Sequence, residues 1–164
     1  MRAGIDIFLK WSHLFVILFC KTINHLGLKV SDLQKMLDDF VIVVKELRSL
    51  NGCPWDRQQT PLSLKRYLVE ETDELLEAID SDDKQHVKEE LGDLLYIIVL
   101  MAQIYSEEGS FAINDVIETV KAKMIRRHPH VFNNEKIDSI AELRKMWLEI
   151  KDSENADRTD PKKN

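Results

Sequence analysis

Residues 70–93 read EETDELLEAIDSDDKQHVKEELGD, two acidic groups separated by a turn signal. Glu70, Glu71 and Glu74 precede Ser81-Asp82-Asp83, and Glu90 and Asp93 follow it. Position 82 lies midway between Glu71 and Asp93, and also midway between Glu74 and Glu90. A chain that folds back there as an antiparallel helix hairpin therefore sets both pairs opposite each other at similar heights. The helical register agrees. Leu64, Tyr67, Glu71, Glu74 and Ala78 follow steps of three and four, the spacing of a buried seam, and so do Glu90, Asp93, Ile97, Leu100 and Ile104.

The acids thus occupy seam positions where the pattern calls for apolar residues. Four like charges facing inward repel at a cost on the order of several kcal/mol unless they are neutralised. A hard divalent cation supplies that neutralisation, and carboxylate oxygens are its preferred ligands. Gly92, beside Asp93, removes a side chain where helices or a substrate must come close. An acidic run on a helix is more often a solvated face, and Glu70, Asp73, Glu77 and Glu89 fit that description. Spacing alone leaves both readings standing.

Working outward, Thr60-Pro61 reads as N-cap and first position of a helix that runs to about Ile79. Its partner runs from about Lys84 to Glu108 and stops at Gly109. The middle of that partner, Leu94–Ile104, is apolar nearly all round and is expected at the centre of the domain. Upstream, Ser31 or Asp32 caps a helix whose stripe is Leu33, Leu37, Phe40, Val41, Val44 and Leu47. It ends near Asn51-Gly52, and Cys53–Gln59 reads as a loop. Downstream, Asn114 caps a helix through about Arg127, which Pro129 brings to an end. Ser139 with Glu142 makes a capping box for a last helix through about Lys151. Residues 152–164 are polar and expected to be a disordered tail. No repeat and no alternating strand pattern interrupts this series. The fold class is all-α, a helical bundle around a central antiparallel hairpin.

Composition supports the same class. Five Gly and four Pro in 164 residues leave room for few turns, which favours long helices. One domain of this length buries a real core. The net charge of −6 argues against a nucleic-acid binder, which needs surplus Lys and Arg to displace counterions. An acidic protein that acts on phosphates must bring its own cation. Cys20 and Cys53 make no disulfide framework and fit a reducing cytoplasm, and no His stands at a helical spacing from either to suggest zinc. Residues 1–30 form a separate apolar extension. Its run Trp11–Cys20, between Lys10 and Lys21, is too short to cross a bilayer, which needs about 20 apolar residues. It also lacks the small residues of a signal-peptide cleavage site, so no membrane association is expected. A helix packed on the domain or on a partner, and an extension from an upstream start codon, both fit it.

Several segments together resemble a known family. Asn51-Gly52-Cys53-Pro54-Trp55-Asp56, followed by Gln59-Thr60, resembles the opening of MazG nucleotide pyrophosphohydrolases. Glu70-Glu71-Thr72-Asp73-Glu74 and Glu90-Leu91-Gly92-Asp93 are similar to that family's paired acidic signature. Arg126-Arg127-His128-Pro129-His130-Val131-Phe132 resembles its arginine segment, and Trp147-Leu148-Glu149-Ile150-Lys151 its closing motif. Each motif alone is weak, and four in order are strong. The likeness spans residues 31–151, one domain where many members carry two, and the extension before Ser31 has no counterpart in the usual pattern.

The resemblance implies Mg²⁺-dependent hydrolysis of nucleoside triphosphates between the α and β phosphates, with Mn²⁺ as a possible substitute ion. It maps the metal ligands to Glu71, Glu74, Glu90 and Asp93, with Glu70 as a further ligand or as the group that orients the attacking water. It implies homodimers or higher homo-oligomers, and a role in removing non-standard or surplus nucleotides. Arg126 and Arg127 are the candidates for stabilising phosphate oxygens, since a guanidinium offers a fork of donors. A helix-dipole partner at the end of a helix is the plainer account of both. Lys123 and Lys151 are weaker candidates for the same work, and Lys145 is expected to face solvent. Trp55, Trp147 and Phe132 can stack on a base, although aromatics beside apolar neighbours are more often core. His128 and His130 are read first as loop structure. Two other readings remain: a relative of narrower specificity, dUTPase-like or acting on phosphoribosyl-ATP, and a non-catalytic helical interaction module.

Overall fold

The computed structural model describes the backbone of residues 29–133 and 135–159 and the side chains of these up to residue 156. The expectations for the apolar run at Trp11–Cys20 fall outside the described residues. Every regular element among the described residues is a helix. The chain divides into two compact units, Met1–Ile104 and Tyr105–Asn164.

The first unit contains α1 (Val30–Leu47), α2 (Pro54–Gln58), α3 (Pro61–Asp80) and most of α4 (Lys84–Glu107). The start of α1 precedes the expected cap. The Lys29 carbonyl accepts the Asp32 and Leu33 N–H groups, while the Ser31 hydroxyl donates to the neighbouring Asp32 carboxylate instead of capping. After α1 the chain turns so tightly that a Cβ on Gly52 would stand 2.3 Å from the Glu46 and Leu47 carbonyl oxygens. Only glycine fits.

The expected loop Cys53–Gln59 holds a turn of helix, α2. Pro54 occupies its first position, where the fixed φ favours a helix and the missing N–H costs nothing. Burial of Asp56 anchors this turn: its main-chain oxygen accepts from Arg48 Nη1 at 2.5 Å and its carboxylate from the Tyr96 hydroxyl. These partners are distant in sequence, so local pattern alone does not reveal the helix.

α3 begins as expected. Thr60 Oγ1 accepts the Ser63 N–H at 3.1 Å, Ser63 Oγ accepts the Thr60 N–H at 2.9 Å, and Pro61 is the first helical residue. Leu64 and Ala78 are its buried residues, and Ile97, Val99, Leu100, Ala102 and Ile104 are those of α4 in the core. Full burial of one such aliphatic side chain stabilises by about 1.5–3 kcal/mol. The middle of α4, Leu94–Ile104, supplies most of that core but is not covered all round: Leu95 and Ile98 within it and Leu91 before it remain 44%, 44% and 53% exposed. They recur at helical spacing and form an uncovered stripe.

The second unit takes in the end of α4, α5 (Ile113–Arg127), α6 (Pro129–Phe132) and α7 (Ile140–Thr159). α4 closes with Gly109 in the left-handed region at φ 73°, and the Ser110 N–H returns to the Tyr105 carbonyl at 2.9 Å. α5 starts earlier than the expected Asn114 cap. The Asp115 carboxylate reaches back to the Ala112 N–H at 2.8 Å and satisfies the end from inside the helix. Pro129 ends α5 and opens α6, and it is buried. Ser139 Oγ accepts the Glu142 N–H, while the Glu142 carboxylate accepts from Asp138. Of the expected tail, residues 160–164 fall outside the described residues, but α7 continues past the expected end near Lys151 to Thr159. The reason is Glu154, which binds Arg126 and Arg127 and so holds a polar segment helical. Among the described residues, no helix is long and apolar enough to cross a membrane.

Candidate metal centre

The hairpin turn is built by its acids. Asp82 takes the left-handed conformation at φ 53°, which Asp tolerates better than most residues. Asp83 Oδ1 then accepts the N–H groups of Gln85 and His86 at 3.0 and 3.1 Å, capping the first turn of α4. α3 and α4 fold back on each other across this point. Glu71 of α3 meets Glu90 and Asp93 of α4, each offering an oxygen, with all three atoms within 4.8 Å of one another.

At that spacing two ionised carboxylates repel by on the order of 3 kcal/mol in a partly solvated site. The site carries this load visibly. Burial, and then the charges of Asp93, Glu74 and Glu90, push the Glu71 carboxyl above its ordinary range. Glu90 is 5% exposed, and its Oε2 is buried with no hydrogen-bond partner. A buried carboxylate oxygen left unpaired is costly, and Glu90 Oε2 is such an oxygen. Three hard oxygen donors from two helices fit a hard divalent cation.

Glu74, the fourth expected ligand, lies outside this set of three and is exposed, though close enough for its charge to act on Glu71. Glu70 is exposed on the same helix. Trp55 is 42% exposed and sets its ring edge-on to Tyr67 at 5.3 Å, and Tyr67 precedes Glu71 by one turn. The Arg66 guanidinium lies over that same tyrosine.

Within the second unit, Arg126 and Arg127 gather around one acid. Arg126 Nε and Nη2 hold Glu154 Oε1 at 2.7 and 2.5 Å, and Arg127 Nε and Nη2 hold Oε2 at 3.1 and 2.6 Å. Hydrogen bonding from Arg127, then from Arg126, lowers the Glu154 carboxyl to about 2. Arg127 and Lys151 both lie over the Trp147 ring, at 5.5 and 5.1 Å. Lys123 lines a shallow groove of about 440 Å³ with Phe111, Asp115 and Val116. The His128 ring meets the Met124 carbonyl one turn back, at the end of α5. Lys145 faces solvent at 78% side-chain exposure.

Sequence reasoning passes over three of these partners. His86 contacts Glu90 from one turn earlier, Tyr96 binds Asp56, and Glu154 binds the arginine pair. Only His86 carries a local signal, its spacing of four from Glu90.

The family model of the MazG nucleotide pyrophosphohydrolase domain matches residues 59–132, which include Glu70, Glu71, Glu74, Glu90 and Asp93. A crystal structure of a MazG-related protein from Thermotoga maritima superimposes with a TM-score of 0.59 and 31% identity, covering 70% of this chain and 98% of that one. The chain belongs to the MazG family. The nucleoside triphosphate pyrophosphohydrolase/pyrophosphatase MazG of Thermotoga maritima is 50% identical over 119 residues, 73% of this chain and 45% of that protein. The nucleoside triphosphate pyrophosphohydrolase of Escherichia coli K12 is 40% identical over 123 residues, 74% of this chain and 47% of that protein. This MazG chain thus spans less than half the length of these curated relatives.

Proposed function

We propose that this chain hydrolyses nucleoside triphosphates between the α and β phosphates, releasing the monophosphate and pyrophosphate with Mg²⁺ as its ion. The observation that carries this reading is the meeting of Glu71, Glu90 and Asp93 with a buried, unpaired oxygen on Glu90. Family membership supplies the reaction.

Glu71, Glu90 and Asp93 would hold the ion, and Glu74, one turn after Glu71 on α3, would complete the set. When bound, the ion supplies a Lewis acid and positive charge against the phosphate oxygens. Glu70 would act as a further ligand or orient the attacking water through its carboxylate. Arg126 and Arg127 would bind phosphate oxygens in place of Glu154, Lys151 would do the same work, and Lys123 would add a further positive charge. Trp55 and Trp147 offer faces for the base. Residues 31–151 carry all of these groups and act as the catalytic domain, with residues 1–30 as an appendage.

The active form is a homodimer or higher homo-oligomer. Leu91, Leu95 and Ile98 on α4, and Leu33, Met36 and Val43 on α1, are all exposed by more than four-tenths, and such stripes are covered by partners in stable proteins. The role assigned is removal of non-standard or surplus nucleotides in the cytoplasm.

A panel of nucleotides with Mg²⁺, reading pyrophosphate against phosphate, tests the proposal. Pyrophosphate release from several triphosphates supports it. Activity confined to dUTP or phosphoribosyl-ATP would replace it with a narrower enzyme. No pyrophosphate from any nucleotide, with Mg²⁺ or Mn²⁺, would favour a non-catalytic helical module.

A further inference from the structure

One oxygen of Glu90 is held and the other is open. Glu90 Oε1 lies 2.9 Å from His86 Nε2, one turn earlier on α4. Glu90 Oε2 is buried without a partner, and the same side chain belongs to the three-carboxylate set. His86 is anchored at its own backbone, where its N–H donates to Asp83 Oδ1 at the hairpin turn. A continuous series of contacts therefore runs from the turn, through the imidazole, to the most buried acid of the site.

We infer that His86 is a positioning residue for the metal centre. Its Nε2–H fixes Glu90 Oε1 and leaves Oε2 as the single oxygen free to bind a divalent cation. A carboxylate ligand with one oxygen already hydrogen-bonded is oriented before the ion arrives, and loss of such outer partners weakens metal binding by roughly 10–100-fold. The alternative is an ordinary pair four residues apart on a helix, since the His86 side chain is 42% exposed. That alternative adds a little helix stability and nothing to metal affinity. The inference rests on the acidic set being the cation site.

Mn²⁺ alone serves as the probe, with free ion counted by electron paramagnetic resonance during titration of the full chain at one fixed pH. Wild type is compared with His86→Ala and His86→Gln, whose amide N–H reaches Glu90 from the same position. Thermal unfolding checks that each variant is folded. His86→Ala is expected to bind Mn²⁺ about tenfold more weakly or worse, and His86→Gln to recover most of the loss. Wild-type affinity in a folded His86→Ala overturns the inference, and so does a loss that His86→Gln does not recover. Failure of the wild type itself to bind Mn²⁺ would overturn the cation-site reading, and the inference with it.

Discussion

The Tyr96 hydroxyl donates to the buried carboxylate of Asp56, a residue 40 positions earlier in the chain. Tyr96 stands one turn after Asp93 on α4, and Asp56 follows Trp55 in α2. The bond therefore ties the segment that carries Trp55 to the helix that carries two of the carboxylates. Burial, then the hydrogen bond to Asp56, raises the Tyr96 hydroxyl above its ordinary value of 10.0. Tyr96→Phe removes the donor and leaves the Asp56 carboxylate short of a partner, which costs about 1–3 kcal/mol in urea unfolding. A folded-state value raised above the unfolded one contributes stability below about pH 10 that is lost as pH rises further. The gap between wild type and Tyr96→Phe should accordingly narrow in alkali, and a constant gap would contradict this account.

The Glu154 carboxyl is displaced in the opposite direction, from 4.5 to about 2, by Arg127 and then Arg126. A depressed value contributes stability above the unfolded pKa that disappears as pH falls through the folded one. Wild type should therefore melt above Glu154→Gln at neutral pH, with the difference fading between about pH 4.5 and 2. Salt should shrink it as well, because Arg126 is half exposed. A difference independent of both pH and salt would show that Glu154 acts by packing alone.

The stripe of Leu91, Leu95 and Ile98 predicts the result of a charge placed in it. Leu95→Glu should convert an oligomer into a monomer in light scattering coupled to size exclusion, with helicity retained. A wild type that is monomeric at working concentration would remove the oligomer from the account.

How much of this is legible in the sequence depends on whether the deciding contact is local. The hairpin is readable because its turn, caps and two seams are all set by residues within one or two helical turns of each other, and Leu64, Ala78, Ile97, Leu100 and Ile104 are buried where the steps of three and four put them. The same register also turns Glu74 and Asp93 inward, and both are exposed. Glu90 is readable as an interior acid from that register. Asp56 is not, since its burial is decided by Tyr96 and Arg48, far away in sequence. Nor is the end of α7, where residues after Lys151 lack an apolar stripe and an ion pair holds the helix. The open face of α4 is hidden for a different reason: apolar spacing marks a surface to be covered without saying which chain covers it.

Glu90 is the pivotal cation ligand of the proposed centre. The direct measurement is Mg²⁺-dependent pyrophosphate release by Glu90→Gln beside wild type, with far-ultraviolet circular dichroism to confirm the fold. Outer partners of metal ligands cost roughly 10–100-fold when lost, so removal of a ligand charge should lower release by at least about a hundredfold while the helical signal stays intact. Pyrophosphate release at the wild-type rate from a folded Glu90→Gln would contradict the metal centre proposed for this hairpin.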